Sequence, residues 1–369
     1  MKVIDLTILL VIKDRQFFTM RWLSYMNHIC YPYSIYIADG GSDMLLEEKI
    51  KKKNFNNISI KYRHFGYDNN HQLYLKKIND SLLEIKTKYV LLADDDDFFL
   101  TKGIEDSVLF LESNEDYSSC GGRQAGIFNY SEGIYLEGKY NLRLSSYPHE
   151  GIEHQDGLDR ITHHLANYSA TYYDVHRTKE MKEIFKEVNE AGFSDLYLVE
   201  LFVQTISLIN GKNKKLKNSY LIRQHNNPLS SANLSSPAGT FGRMLLETWP
   251  HDMKNFLDRV SSKITMKNID SDYHKIRDYL VNIIQHFYIK NISKELEKNE
   301  ISTIKGLWIK VLSLFKKNSF KRLTTFFYTK YSTLNVRYGV LSFLSNFSPI
   351  KKDYHEVILF LKNFKEKND

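Results

Sequence analysis

The sequence predicts an α/β fold on a mostly parallel sheet, followed by a helical C-terminal region. Three observations carry this. Apolar strand-like runs alternate with helix-like spacings through the first hundred residues, as a parallel sheet with crossover helices requires. Two of those runs end in polar, acidic turns: Ser34 to Ala38 runs into Asp39-Gly40-Gly41-Ser42-Asp43, and Tyr89 to Ala93 into Asp94-Asp95-Asp96-Asp97. From about residue 243, Pro and Gly become scarce and the apolar spacing is helical from Phe256 through Leu361. The expected division is residues 1–242 for the α/β part and 243–369 for a helical domain.

Taken in order, Val3 to Ile12 reads as a first buried strand. Asp5 interrupts it and Lys13-Asp14-Arg15 closes it, so it is too short to span a membrane and lacks a small-residue cleavage site. Phe18, Trp22, Tyr25, Met26 and Ile29 then share one helical face. Ile58 to Tyr62 suggests a third strand and His71 to Leu83 a helix leading to the strand before the four aspartates. Ala191 to Asp195 opens an apolar helix from Leu196 to about Ile209, with Ser194 or Asp195 as its N-cap. Asn218 to Arg223 reads as a last short strand. The run 226–239, rich in Ser, Asn, Pro and Gly, reads as a flexible loop able to fold over a ligand. Cys30 and Cys120 are the only cysteines, which excludes a disulfide framework and fits a reducing compartment.

The acidic run has a chemical reading and a plain one. Four adjacent carboxylates repel one another, and a hard divalent cation takes carboxylate oxygens while keeping positions for water and phosphate. Side chains two apart in an extended segment share a face, so Asp94 and Asp96 can address one ion while Asp95 and Asp97 face away. The plain reading is a solvated acidic loop. Asp39 at a strand's C-terminal end suits a base or ribose, because open α/β sheets bind nucleotides at that edge; an ordinary Asp-Gly-Gly-Ser turn is the alternative. No G-x-G-x-x-G or G-x-x-x-x-G-K-[ST] is present, so the dinucleotide and P-loop readings lose their usual support. Residues 118–175 are rich in Gly, Tyr and Ser and carry His149 to Asp156 and His163-His164, a composition suited to a sugar acceptor. Those histidines lack Cys partners and a His-x-x-x-His pair, which speaks against zinc.

A hydrophobic strand ending in Asp-x-Asp, downstream of a strand ending in Asp-x-Gly-Ser, resembles the GT-A glycosyltransferases, above all the inverting family 2. Leu9 to Arg15 stands where that family has its first nucleotide-contacting turn. The resemblance implies donor contacts at Lys13, Arg15, Asp39, Gly40, Asp94, Asp95 and Arg223. It also implies Mg²⁺ or Mn²⁺ at Asp94 and Asp96, with His225 completing the metal shell; a surface loop with a solvated His225 is the alternative. It covers about the first 100 residues well and continues more loosely to about residue 230. The family's catalytic base precedes the apolar helix, often in a Glu-Asp pair. Here the pair is Ser194-Asp195, so Asp195 is the expected base and Glu200, one turn on, its substitute. The implied activity is inverting transfer from a nucleoside-diphosphate sugar to a hydroxyl of a glycan or lipid-linked glycan, as in bacterial surface polysaccharide synthesis. A nucleotidyltransferase on a similar sheet and a non-catalytic glycan-binding scaffold are the alternatives.

Charge is unevenly placed. Residues 301–350 hold eight Lys/Arg and no Asp or Glu, while the other 319 residues hold the remaining 43 basic and all 44 acidic side chains. Ile304, Leu307, Trp308, Val311, Leu312 and Phe315 form an apolar face beside Lys305, Lys310, Lys316, Lys317, Lys321 and Arg322. Such a segment suits either an anionic membrane surface or a helical core with a basic edge. Nucleic acid is not expected, since no recognised motif accompanies the charge. The expected location is cytoplasmic, peripheral on the inner face of the membrane if that helix binds lipid.

Overall fold

The structure is a computed structural model that describes residues 4–128, 145–146, 150–225, 239–267, 272–313, 356–357, 359–361 and 364. Alternating strands and helices open the chain: β1 (Leu6–Ile12), α1 (Gln16–His28), β2 (Ser34–Asp39), α2 (Leu45–Lys53), β3 (Ser59–His64), α3 (His71–Glu84) and β4 (Tyr89–Ala93). Next come β5 (Phe98–Phe99), α4 (Thr101–Ser113), β6 (Tyr117–Phe128), β7 (Ser145–Ser146), α5 (Gly157–Ala166) and β8 (Val175–Arg177). The rest comprises α6 (Thr178–Ala191), α7 (Leu196–Asn210), β9 (Lys212–His225), α8 (Gly239–Met244), α9 (Trp249–Lys267) and α10 (Tyr273–Ser313).

The strands form one sheet in the order β3-β2-β1-β4-β8-β6-β9-β5. β1 to β4 are parallel, whereas β8 runs antiparallel to both β4 and β6. This is the expected α/β class, a sheet flanked by helices with further helices at the C-terminus, consistent with a GT-A-like fold. Burial on both faces explains why the strands read as continuous apolar runs. Ile8, Leu10, Ile35, Ile37 and Leu91 face a cluster with Trp22 and Met26 of α1, Leu46 of α2 and Val108 of α4. Their neighbours Leu9, Tyr36, Ala38, Val90 and Leu92 face the opposite cluster, with Ile78 of α3, Phe185 of α6 and Phe202 of α7. Val260 of α9 and Leu280 of α10 belong to that second cluster. Val357 and Leu361, near the C-terminus, are buried in the first.

β6 and the length of β9 depart from the sequence reading, which placed no strand at 117–128 and a short one at 218–223. Glycines at 121, 122 and 126 depress strand propensity. Here the absent side chain serves close packing: a Cβ on Gly121 would sit 1.9 Å from the Asp174 carboxylate. That carboxylate is fully buried and receives the Lys215 ammonium at 2.7 Å on both oxygens, with Asn213 donating at 2.8 Å. Breaking a buried pair costs about 3–5 kcal/mol. Gly121→Ala is therefore expected to lower stability by about 3 kcal/mol, read as a lower urea midpoint with unchanged slope.

Among the described residues no helix is long and apolar enough to cross a membrane. Residues 226–238 and 314–355 lie outside the described residues. With them go the expected loop over the ligand and the lysines at 316, 317 and 321.

Candidate active site

The C-terminal ends of β1, β2 and β4 lie side by side, because parallel pairing puts Ile12 opposite Asp39 and Leu10 opposite Ala93. The turns leaving these strands therefore meet along one edge. Asp39, at the end of β2, spends both oxygens: Gly41 N–H donates to Oδ1 at 2.8 Å and the Tyr62 hydroxyl to Oδ2 at 2.7 Å. A Cβ on Gly40 would fall 2.0 Å from the Asp68 carboxylate, so this turn admits only glycine. Asp68 pairs with the buried Lys77 ammonium at 2.5 Å, and Lys77 also donates to Ile12 O at 2.7 Å. Lys13 donates to Asp68 O and lies 4.5 Å from the centre of the Tyr67 ring.

The four aspartates separate by role. Asp95 is buried: it takes Arg15 Nε on Oδ1 at 2.6 Å and the Thr19 hydroxyl on Oδ2 at 2.8 Å. Asp97 is buried on the far side, taking Arg223 Nε on Oδ2 and Gln224 N–H on Oδ1, both at 3.1 Å. Burial pushes the Asp95 carboxyl up to about 6 against the pull of Arg15. The Asp97 carboxyl is pushed up by burial against the pull of Arg223. Asp94 and Asp96 take different partners: the Tyr173 hydroxyl donates to Asp94 Oδ2 at 2.6 Å, and Arg15 Nη2 lies 3.0 Å from Asp96 Oδ2. Burial and then the Asp96 charge raise the Asp94 carboxyl above its ordinary range, with Tyr173, Arg223 and Arg15 only partly opposing.

That imbalance is the test of fit for a divalent cation. Two carboxylates two residues apart, one raised by burial and then by the charge of the other, are hard-oxygen groups that added positive charge would relieve. Among the described residues no group of three or more His, Cys, Asp or Glu side chains could hold a metal. A cation at Asp94 and Asp96 would thus take its other ligands from water and from a bound phosphate. His225 ends β9 opposite Phe128, and its side chain lies outside the described residues.

Asp195 is the N-cap of α7, its Oδ1 accepting Leu198 N–H at 2.8 Å, as the sequence anticipates. Its Oδ2 lies 3.9 Å from Arg243 Nε of α8. Glu200, one turn on, accepts from the Tyr168 hydroxyl at 3.2 Å and Gln204 Nε2 at 3.3 Å. Burial raises the Glu200 carboxyl; the Arg223 guanidinium lowers it and the Asp94 charge raises it. Glu200 therefore shares one electrostatic neighbourhood with Asp94 and Arg223. Arg223 lies across the Tyr173 ring, 4.8 Å from its centre. Burial and the nearby Asp94 and Glu200 charges raise the phenols of Tyr74, Tyr172 and Tyr173, so these tyrosines belong to the same neighbourhood.

Several of these residues are absent from the sequence reading: Thr19, Asp68, Lys77, Tyr74 and Arg243. Only Tyr168, Tyr172 and Tyr173 carried a signal, lying in the Tyr-rich stretch assigned to an acceptor.

No protein-family model matches the chain, and no curated protein matches it. Among solved structures it is similar to S. aureus TarS 1–349, with 13% identity and a TM-score of 0.43 over 73% of this chain and 68% of that one. The same figures hold for that TarS fragment in complex with UDP-GlcNAc, over 73% and 69%. S. aureus TarS itself matches over 76% of this chain and 42% of its own length, again at 13% and 0.43. At that distance the likeness assigns the chain neither a family nor a ligand.

Proposed function

We propose that this chain is a metal-dependent glycosyltransferase that moves a sugar from a nucleoside-diphosphate donor to a hydroxyl of a glycan acceptor. The observation that supports it is the convergence of Asp39, the Asp94–Asp97 run, Arg223 and Glu200 on one edge of the sheet. Asp39 with its turn would take the base or ribose, Lys13 and Arg15 the phosphate side, and Arg223 the diphosphate. Asp94 and Asp96 would hold Mg²⁺ or Mn²⁺, which when bound neutralises the departing diphosphate. Glu200 or Asp195 would accept the proton of the attacking hydroxyl. Glu200 is the better placed, because a base works best with its pKa raised towards neutrality, and burial raises this one. Asp195 already spends one oxygen on its cap and faces Arg243 with the other. A single displacement inverts the anomeric carbon.

Melting-temperature screening of nucleoside diphosphates and their sugars, with and without Mn²⁺, tests this reading. A donor should raise the midpoint only with metal, by mass action on the native state. In turnover the product should be a nucleoside diphosphate; release of pyrophosphate would mark a nucleotidyltransferase. Absence of any metal-dependent nucleotide binding would leave a glycan-binding scaffold.

We also propose that the acceptor is lipid-linked and that the basic stretch after Ile304 meets an anionic membrane from the cytoplasmic side. Each Lys or Arg near such a surface contributes about 1 kcal/mol. Cosedimentation with anionic vesicles is expected, weakening as salt rises and with Lys316→Glu plus Lys317→Glu. Binding indifferent to both would point to a soluble glycan.

A further inference from the structure

The start of α7 is held by a residue from beyond the 226–238 stretch. Asp252 of α9 is fully buried, and its Oδ2 accepts Ser194 N–H at 2.8 Å and Asp195 N–H at 3.1 Å. Helix starts leave amides unpaired, and these two lie just outside the reach of Asp195's own cap. A carboxylate from a second helix satisfies them with charge-assisted bonds, the strong kind. The same junction is gripped from two further sides. His71 of α3 hydrogen-bonds Ser194 O through Nδ1 at 2.7 Å. Arg243 lies 3.9 Å from Asp195 Oδ2, with its guanidinium 3.3 Å from the centre of the Tyr197 ring.

We propose that Asp252 is a positioning residue that fixes the entry of α7, and through it the placement of Asp195 and Glu200 against the donor edge. This rests on the transferase reading for its catalytic consequence, though not for the geometry. The carboxylate pair sits on the first turn and a half of α7, so a helix start free to tilt would carry both. Catalysis is sensitive to displacements of about 1 Å. Asp252 touches neither proposed donor nor metal residues, so it acts only through the backbone it holds.

The test compares the full chain with Asp252→Ala and Asp252→Asn. Asparagine keeps an oxygen for the two amides; alanine does not. Native-state hydrogen exchange at residues 194–198 should accelerate by about tenfold or more in Asp252→Ala, with β1 and β4 unchanged, since each lost charge-assisted bond is worth at least about a decade. Nucleoside-diphosphate release should fall about tenfold in kcat while the donor KM moves less than about twofold, and Asp252→Asn should recover most of both. Three results would each overturn the proposal: unchanged exchange at 194–198, acceleration spread evenly over the sheet, or an asparagine variant no better than alanine. If the wild-type chain releases nucleoside diphosphate from no donor, the transferase reading falls, and the exchange measurement still decides the role of Asp252.

Discussion

Asp96→Ala is expected to reduce transfer by about a thousandfold or more and to abolish metal-dependent nucleotide binding, while the fold survives. A metal ion supplies several kcal/mol of charge stabilisation, and each 1.4 kcal/mol is a decade in rate. The fold is expected to survive because Arg15, which the buried Asp96 meets at 3.0 Å, keeps its grip on Asp95 at 2.6 Å when Asp96 is removed. Because Arg15 is left with a charged partner, the loss should stay below that of a broken buried pair, about 3–5 kcal/mol; about 2 kcal/mol would shift the melting midpoint by about 3 °C for a chain this long. Asp95→Ala should behave in the opposite way. It strips Arg15 and Thr19 of a buried partner, so unfolding should become easier by about 3 kcal/mol. Adjacent aspartates with opposite phenotypes, one catalytic and one structural, are the signature to seek in parallel activity and melting measurements. Near-wild-type activity in Asp96→Ala would remove the metal site from the proposal.

Glu200→Gln is expected to lower turnover by about a hundredfold or more with little change in donor binding, because glutamine keeps the shape but cannot take a proton. Asp195→Asn should cost less. The same substitution carries a stability signature whose sign follows from burial. Burial holds the Glu200 carboxyl above its ordinary range, near 4.3, so the folded protein binds this proton more tightly than the unfolded chain. Its contribution is fully present below the ordinary glutamate value and is lost as pH rises through the raised folded value. Glutamine never ionises, so Glu200→Gln should melt higher than wild type at pH 8, with the gap closing towards pH 4. The wild-type pH–rate profile should show an acidic limb displaced above the usual glutamate range. A hundredfold loss in Asp195→Asn with little in Glu200→Gln would transfer the role to Asp195.

Much of the frame was legible because it is encoded locally. The division of Ile8 and Leu9, or Leu91 and Leu92, between two opposite buried clusters follows from the twofold period of a strand. The capping role of Asp195 was legible for the same reason, since it reaches an amide only three residues on. Gly121 and Gly122 of β6 misled because their reasons lie far along the chain: the Asp174 carboxylate, more than fifty residues on, for the first, and Asn218 O with Tyr220 for the second.

By itself, then, the sequence determined that strands would end in carboxylates at one edge of a parallel sheet, because periodicity and turn chemistry act over a few residues. The extended alternation expected across the four aspartates does not hold: Asp95 and Asp96 occupy a turn closed by Asp97 N–H on Asp94 O at 3.3 Å, so Asp95 and Asp96 share Arg15 while Asp97 meets Arg223. Only the tertiary structure decided what each would meet. Asp95 is neutralised by an arginine 80 residues away and Asp97 by one 126 residues away. It also decided that Glu200 shares the field of Asp94 and Arg223, since its environment is built by Tyr168, Arg223 and Arg243 from three separate segments. Burial and charge pairing are sums over neighbours in space, and no local pattern records them.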